Sequence, residues 1–358
     1  MNSEANKENV LKVDEKMLDE WATNLSGPVA IHLKQKLVPI EGEGGVIFPP
    51  TYANIGYNID VLSDGKKVAT IDSVGSQANR MEPLFKEPPL NDLIPQIQIK
   101  FGNKQISILD VGHRLGDALI RSTNLSEEAK EAFEKWLNGD AGKLAKLAPT
   151  SIIFGAWDSR DTSAKLPRII QSVIRAWDVD GLSRSATYFP PVDYAKFEVF
   201  SEEEKTKAEG DTKNPLAQRG FVNALSTSEP GGIIAHGPIY RDVTVNLITL
   251  RRLKTTEKEK DTLRKYILGL SLMVVIQPFD GFLRQGCLLT PDPAAEQDWV
   301  IVMRDGRRLS FKIDDTVALE YAKKAAKEFG VVGKIREVSF EKQKAVDDSN
   351  KVKGKKNK

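Results

Sequence analysis

Hydrophobic positions recur along this chain with two periods, and the switching between them predicts strands and helices mixed along its length. Val29, Ile31, Leu33 and Leu37 alternate with polar neighbours over Pro28 to Val38, the pattern of a half-buried strand. The next stretch, EGEGGVIFPPTYANIGYNIDVL, carries Phe48, Tyr52 and Tyr57 among glycines and prolines, and predicts an ordered loop or a short hairpin. Helices are predicted over Ser126 to Asn138 and over Thr255 to Ile276. In the second, Thr256 and Glu259 form a T-x-x-E capping box, and Leu263, Tyr266, Ile267, Leu270 and Val274 continue one face. Val243, Val245 and Leu247 alternate within Ile239 to Leu250 as in a strand. Trp299 to Met303 and Arg308 to Ile313 read as a hairpin around Asp305 and Gly306. No repeat with a period of about 20 to 50 residues is visible, which argues against a solenoid or propeller.

The stretch Thr150 to Val179 reads as an apolar strand, a polar turn and then a helix. Leu166, Ile169, Ile170, Val173 and Trp177 fall at the spacing of one apolar helix face, so Trp177 is expected in the packed stripe. At about 100° per residue, Lys165, Arg168 and Arg175 cluster on another edge of that helix, with Lys165 and Arg168 near its N-terminus. Free backbone N–H groups there favour an anion, so this edge suits a polyanion. An amphipathic core helix with solvated cations would have the same pattern.

Composition narrows the class without choosing a partner. The chain has 358 residues, with 40% hydrophobic and 28% charged residues, as in a globular protein able to bury a large core. A net charge of +2 means that a nucleic-acid surface would have to come from local clustering of cations. The single cysteine, Cys287, excludes an internal disulfide and a cysteine zinc cluster. The opening MNSEANKENVLKVDEK has no apolar core for a signal peptide, and residues 1–26 read as a polar N-terminal segment. The longest apolar run, Tyr266 to Ile276, is too short for a membrane span. A cytoplasmic location away from membranes is therefore expected. Ser201 to Lys213 reads as a solvated insertion loop, and residues 341–358, ending KVKGKKNK, as a basic disordered tail.

Motifs for small-molecule catalysis are missing: there is no P-loop, G-x-S-x-G elbow, H-E-x-x-H or dinucleotide G-x-G-x-x-G. His32, His113 and His236 are isolated in sequence, and no metal or cofactor is expected. Asp72, Asp110 and Asp158 follow strand-like runs, where an aspartate serves as a turn residue or helix cap, as Asp72 would for the helix that follows it. That helix begins in IDSVGSQANRMEPLF. Ser73, Gly75, Ser76 and Gln77 sit at the strand-to-helix junction, with Asn79 and Arg80 one to two turns in. Such a junction can hold a phosphate on hydroxyls, N–H groups and an exposed arginine without any catalytic group. A capped helix packed by Val74 and Met81 is the alternative.

Three segments in order, IDSVGSQANRME, FGAWDSRDTSAKLPRIIQSVIRAWDV and YILGLSLMVVIQPFDGFLRQGCLL, span most of Ala30 to Leu289. Together they resemble the backbone subunit of type I-G (earlier I-U) CRISPR effector complexes. That family is a branch of the RAMP superfamily and the seventh family of Cas proteins. The resemblance implies an α+β fold, a modified RRM or ferredoxin-like core over residues 27–340 whose insertions form palm, web and thumb. By position, GGIIAHGPIYRDVTVNL (residues 231–247) is the candidate thumb.

The function implied is noncatalytic. Several copies would coat the spacer part of one CRISPR RNA as a helical filament, beside a large subunit and a repeat-processing subunit, leaving the bases to pair with target DNA in antiviral defence. On the matching motifs, RNA would be held by Ser73, Ser76, Gln77, Asn79, Arg80, Trp157, Ser159, Arg160, Lys165, Arg168, Arg284 and Gln285. The stacking signature of sequence-reading RRMs is absent, which agrees with sequence-tolerant binding. Two alternatives stay open: a metal-dependent ribonuclease using Asp72 or Asp158, as in related type III backbones, and a small-molecule enzyme with an unrecognised pocket.

Overall fold

The computed structural model describes residues 10–295, 298–331 and 333–356. Five strands and two helices form its centre. β1 (Ala30–Pro39), β2 (Lys67–Asp72), β3 (Ile170–Trp177), β4 (Ile239–Asn246) and β5 (Asp298–Val302) lie side by side in the order β5-β1-β4-β3-β2, with every neighbouring pair antiparallel. Arg308–Lys312 and Leu11–Lys12 extend this sheet beyond β5, and Ile59–Val61 extends it beyond β2. Cys287–Pro291 pairs with the far half of β1. α1 (Val74–Met81) follows β2, and α2 (Lys260–Ile276) runs between β4 and β5. Taken in chain order, β1, the helical segment from α1, β3, β4, α2 and β5 make a β-α-β-β-α-β unit. The molecule is α+β, as expected.

The strand alternation read from the sequence holds in β1 and β4, where Ile31, Leu33, Leu37, Val243 and Val245 are buried. The glycine-rich stretch carries the small hairpin Thr51–Tyr52 with Gly56–Tyr57, and β5 with Arg308–Lys312 is the expected hairpin. Ser126–Leu137 is a helix. α2 is buried nearly all round from Leu263 to Val275, as befits a helix at the centre of a core. It approaches helix Asp315–Phe329 so closely that a Cβ on Gly269 would lie 2.9 Å from Ala322 Cα, and only glycine admits that contact. Its start differs from the capping-box expectation. Glu259 is the N-cap residue without a side-chain cap, and Thr256 Oγ1 reaches Glu259 Oε2 at only 3.5 Å.

The segment Thr150 to Val179 reverses the expected order. Pro149–Ile153 is a short helix, Ala156–Trp157 pairs with Lys165–Leu166 in a small ribbon, and the stretch expected to be helical is β3. Ile170, Ser172, Ile174 and Ala176 are buried, whereas Val173 is half-buried and Trp177 is 39% exposed. Period 2 runs through Ile170, Ser172, Ile174 and Ala176 and leaves Val173 on the other face, and the β-branched Ile170, Val173 and Ile174 suit a strand. Pairing with β4 on one side and β2 on the other decides for the strand. Lys165, Arg168 and Arg175 therefore lie on a ribbon, a loop and a strand, and no helix N-terminus joins them.

Four other expectations change. The polar N-terminal segment belongs to the core from residue 10 onward: helix Glu15–Thr23 buries Leu18, Trp21 and Ala22, and Trp21 packs edge-on against Phe311 at 5.4 Å. Residues 1–9 lie outside the described residues. Ser201 to Lys213 is no loop, since Ser201 and Glu204 cap helix Glu202–Ala208 reciprocally and Ala208 packs with Ala217 and Val222. The candidate thumb at 231–247 divides. Its first residues end strand Ala224–Ala235, which pairs with Val179–Tyr188 in a long, largely exposed ribbon bearing residues 189–223 at its far end, whereas residues 239–246 are the central strand β4. The tail forms helix Lys342–Lys356, anchored by Lys344 Nζ on the Thr123 carbonyl and by the Arg121–Asp348 ion pair; residues 357–358 lie outside the described residues.

The inner face of the sheet is apolar at both ends and polar between them. Along β1 the buried residues run Leu33, Gln35, Leu37; along β4, Val243, Arg241, Ile239; along β3, Ile170, Ser172, Ile174. The first of each triplet joins the large helical core and the last joins a smaller cluster with Ile71, Ile233, Leu283 and Cys287. Truncating Ile174 in that smaller cluster to alanine should cost about 2–5 kcal/mol. Trp177→Ala should cost less than Ile174→Ala, and urea denaturation of the two variants measures the ranking.

Candidate nucleic-acid interface

α1 starts where β2 leaves the sheet. Ser73 is its N-cap, and the Ser73 hydroxyl accepts from the Ser76 amide at 3.3 Å, so the cap is Ser73 and not Asp72. Asp72 instead turns inward and is almost wholly buried, accepting from Gln77 Nε2 at 2.6 Å and Arg80 Nε at 3.0 Å. Ser172 Oγ on β3 donates to Gln77 Oε1 at 2.7 Å. Gln77 is thus an internal link, and Arg80 joins Asp72 to the Phe282 and Leu283 carbonyls, at 3.3 and 2.5 Å. Arg80 is exposed, as expected, but it also has a structural role, because the buried Asp72 carboxylate needs a cation.

The other end of α1 leads to the second motif. Arg114, itself buried, donates to Asn79 Oδ1 at 3.3 Å and to the Gly155 carbonyl at 3.0 Å, and pairs with Glu82 at 2.7 Å. Arg168 Nε donates to the Phe154 carbonyl at 2.9 Å. The ribbon beyond carries the exposed loop, which Asp158 ties down by accepting from the Asp161 and Thr162 amides and the Thr162 hydroxyl. On that loop Ser159 and Arg160 are exposed, and Trp157 is 57% exposed with Lys165 Nζ 4.8 Å from its ring centre. In the third motif Arg284 Nη1 donates to the Pro49 carbonyl at 2.8 Å, and Gln285 is exposed.

The three motifs therefore adjoin through one chain of contacts, from Phe282 and Leu283 through Arg80, α1, Asn79 and Arg114 to Gly155. The side chains named from the sequence divide in two. Gln77 is buried, Arg168 is half-buried, and Arg80 and Arg284 are exposed, yet all four bond to groups of the protein itself. Asn79, Trp157, Ser159, Arg160, Lys165 and Gln285 are exposed, Asn79 also accepting from Arg114, with Ser73 and Ser76 half-buried between them. Sequence reasoning missed Glu82 and Arg114, whose partners lie far apart in the chain, and the exposed Phe282. It also missed the open face of the sheet, where Lys34 Nζ stands 4.1 Å from the centre of the Tyr240 ring. Alternation within β1 and β4 would have placed Lys34 and Tyr240 on the face opposite Leu33 and Val243. His32, His113 and His236 do not meet, and no group of three potential metal ligands occurs among the described residues.

Residues 31–181, which run from β1 through α1 and β3, match the family model described as CRISPR-associated protein GSU0053 (Cas_GSU0053). This segment is therefore similar to a CRISPR-associated family, which is in keeping with the resemblance drawn from the motifs. No curated protein matches the chain. No helix among the described residues is long and apolar enough to cross a membrane.

Two outcomes test the buried charges of this region. Arg80→Ala should lower stability by about 1–3 kcal/mol, because Asp72 would keep only the Gln77 donor; a urea midpoint equal to that of the unaltered protein would show Arg80 to be dispensable. Burial pushes the Glu82 carboxyl up to about 7, against the pull of Arg114. With the unfolded carboxyl near 4.5, the folded state holds the extra proton between these values. Its stabilising contribution is therefore complete below the lower value and is lost as pH rises through about 7. Glu82→Gln should remove that decline in melting temperature, even though it lowers stability at every pH.

Proposed function

We propose that this protein is the noncatalytic backbone subunit of a type I-G CRISPR effector complex, several copies of which lie along one CRISPR RNA. The observation that carries the reading is the CRISPR-associated family match across β1 to β3, the segment that supplies the outward-facing residues of α1 and the 157–165 loop. The β-α-β-β-α-β order with β5-β1-β4-β3 pairing supports reading the centre as a ferredoxin-like, RRM-type core. The 179–235 ribbon, an insertion between β3 and β4, takes the part of the thumb. In this reading Arg160, Lys165 and Asn79 hold sugar and phosphate, Trp157 offers a ring for sequence-tolerant stacking, and the bases remain free to pair with target DNA. A large subunit and a repeat-processing subunit would complete the cytoplasmic complex.

The carboxylates a ribonuclease would need are engaged elsewhere, Asp72 with Arg80 and Gln77 and Asp158 with its own turn. This favours the noncatalytic reading. Single-stranded RNA should bind with little preference among sequences, and log affinity should fall against log salt by about 0.7 per phosphate neutralised. Arg160→Ala with Lys165→Ala should weaken all RNAs alike and reduce the slope by about 1.4, with the melting temperature unchanged. Fluorescence anisotropy over a salt series measures this, and a strong preference for one sequence or a salt-independent affinity would overturn the reading.

A further inference from the structure

A cavity of about 540 Å³ opens between the C-terminal end of α2 with its following turn and the strands β1, β5 and Arg308–Lys312. Gln35 and Arg241 of the polar row line it, together with Phe279, Trp299, Lys312 and Asp315. Arg241 is only 4% exposed, yet its contacts are poor. Nη1 lies 3.4 Å from Gln35 Oε1, Nη2 lies 3.9 Å from Met81 Sδ, the guanidinium carbon stands 5.0 Å from the centre of the Phe279 ring, and Nε has no acceptor. A guanidinium offers five N–H donors, and a buried one ordinarily finds an anion or several carbonyls.

The other buried arginines of this protein do so. Arg114 pairs with Glu82 and donates to a carbonyl, Arg251 donates to the Trp21 and Pro28 carbonyls, and Arg264 donates to the Leu253 carbonyl and pairs with Asp261. Among the described residues no carboxylate pairs with Arg241, and burial alone pulls its guanidinium down to about 10.

We propose that this cavity is a binding site for a carboxylate carried on a flat apolar body. The planar guanidinium fork matches a carboxylate edge, and the Gln35 amide beside it adds a second polar group. Phe279 and Trp299 supply apolar walls that strengthen the charge interaction by excluding water. At the rim Lys312 adds attraction and Asp315 opposes it, so the site suits one negative charge better than two. The carboxylate could belong to a free small molecule or to an acidic side chain of a protein partner. The proposal is independent of the RNA reading.

Calorimetric titration of the full chain with benzoate, benzamide and inorganic phosphate at fixed ionic strength tests it. Benzoate should bind with one-to-one stoichiometry and raise the melting temperature, and benzamide, which lacks the charge, should bind at least about tenfold more weakly. Lys312→Glu, an exposed change that does not touch the core, should weaken benzoate severalfold, and Arg241→Met should abolish its binding. A capped Phe-Glu-Phe peptide that binds more tightly than benzoate would assign the carboxylate to a protein partner, and one that binds more weakly to a small molecule. Benzoate that binds no better than benzamide, or equally well to the unaltered protein and both variants, would overturn the proposal. So would phosphate binding more tightly than benzoate, or no detectable binding of benzoate.

Discussion

A row of polar side chains crosses the buried face of the sheet, and the seating of α1 depends on how that row is satisfied. Asp72 at the end of β2 cannot remain charged in the interior without donors, and Gln77 and Arg80 supply them from the first turns of α1. Gln77 is held in turn by Ser172 on β3, and Arg80 by the carbonyls of Phe282 and Leu283. These few bonds dock α1 against two strands and a distant loop at once. Apolar packing of Ala78 and Met81 alone would leave the helix freer to slide or rotate, because hydrophobic contact has no direction.

The same logic extends outward. Arg114 is buried against Glu82, and its remaining donors tie Asn79 at the end of α1 to Gly155 at the foot of the exposed loop. Asp158 then folds that loop on itself, leaving Trp157, Arg160 and Lys165 outside. Buried charges thus hold the scaffold, and the cations left at the surface are available to a polyanion. Contacts of this kind suit a surface that has to follow a nucleic-acid backbone, where phosphate contacts set position and carry no sequence information. Arg241, whose only acceptors in the row and on α1 are a distant Gln35 oxygen and the Met81 sulfur, lies where the row meets a cavity.

Much of the architecture could be read from the chain by itself. β1, β4, the hairpin of β5 with Arg308–Lys312, the helix from Ser126 and most of α2 follow from residue periodicity, because each buries one face or the whole of a regular element. The strand-to-helix passage at Asp72 and Ser73 was legible for a similar local reason, the turn and capping preference of small polar residues, although the cap is Ser73 and not the expected Asp72. The passage from Thr150 to Val179 was not. Ile169, Ile170, Val173 and Trp177 fall at helical spacing, and the hydrogen-bonding partners β4 and β2, contributed from elsewhere in the chain, make the segment a strand.

The candidate interface divides along the same line. Sequence alone singled out the candidate segments, since small polar residues after a strand and cations near a tryptophan are local features. It could not determine which of their charges are free. Arg80, Arg168 and Arg160 are equally cationic as letters, yet Arg80 and Arg168 are bound to Asp72 and the Phe154 carbonyl while Arg160 faces outward. Tertiary structure decided this, because a charge in a protein interior must find its counter-charge or acceptors, and those groups come from residues that only folding brings near.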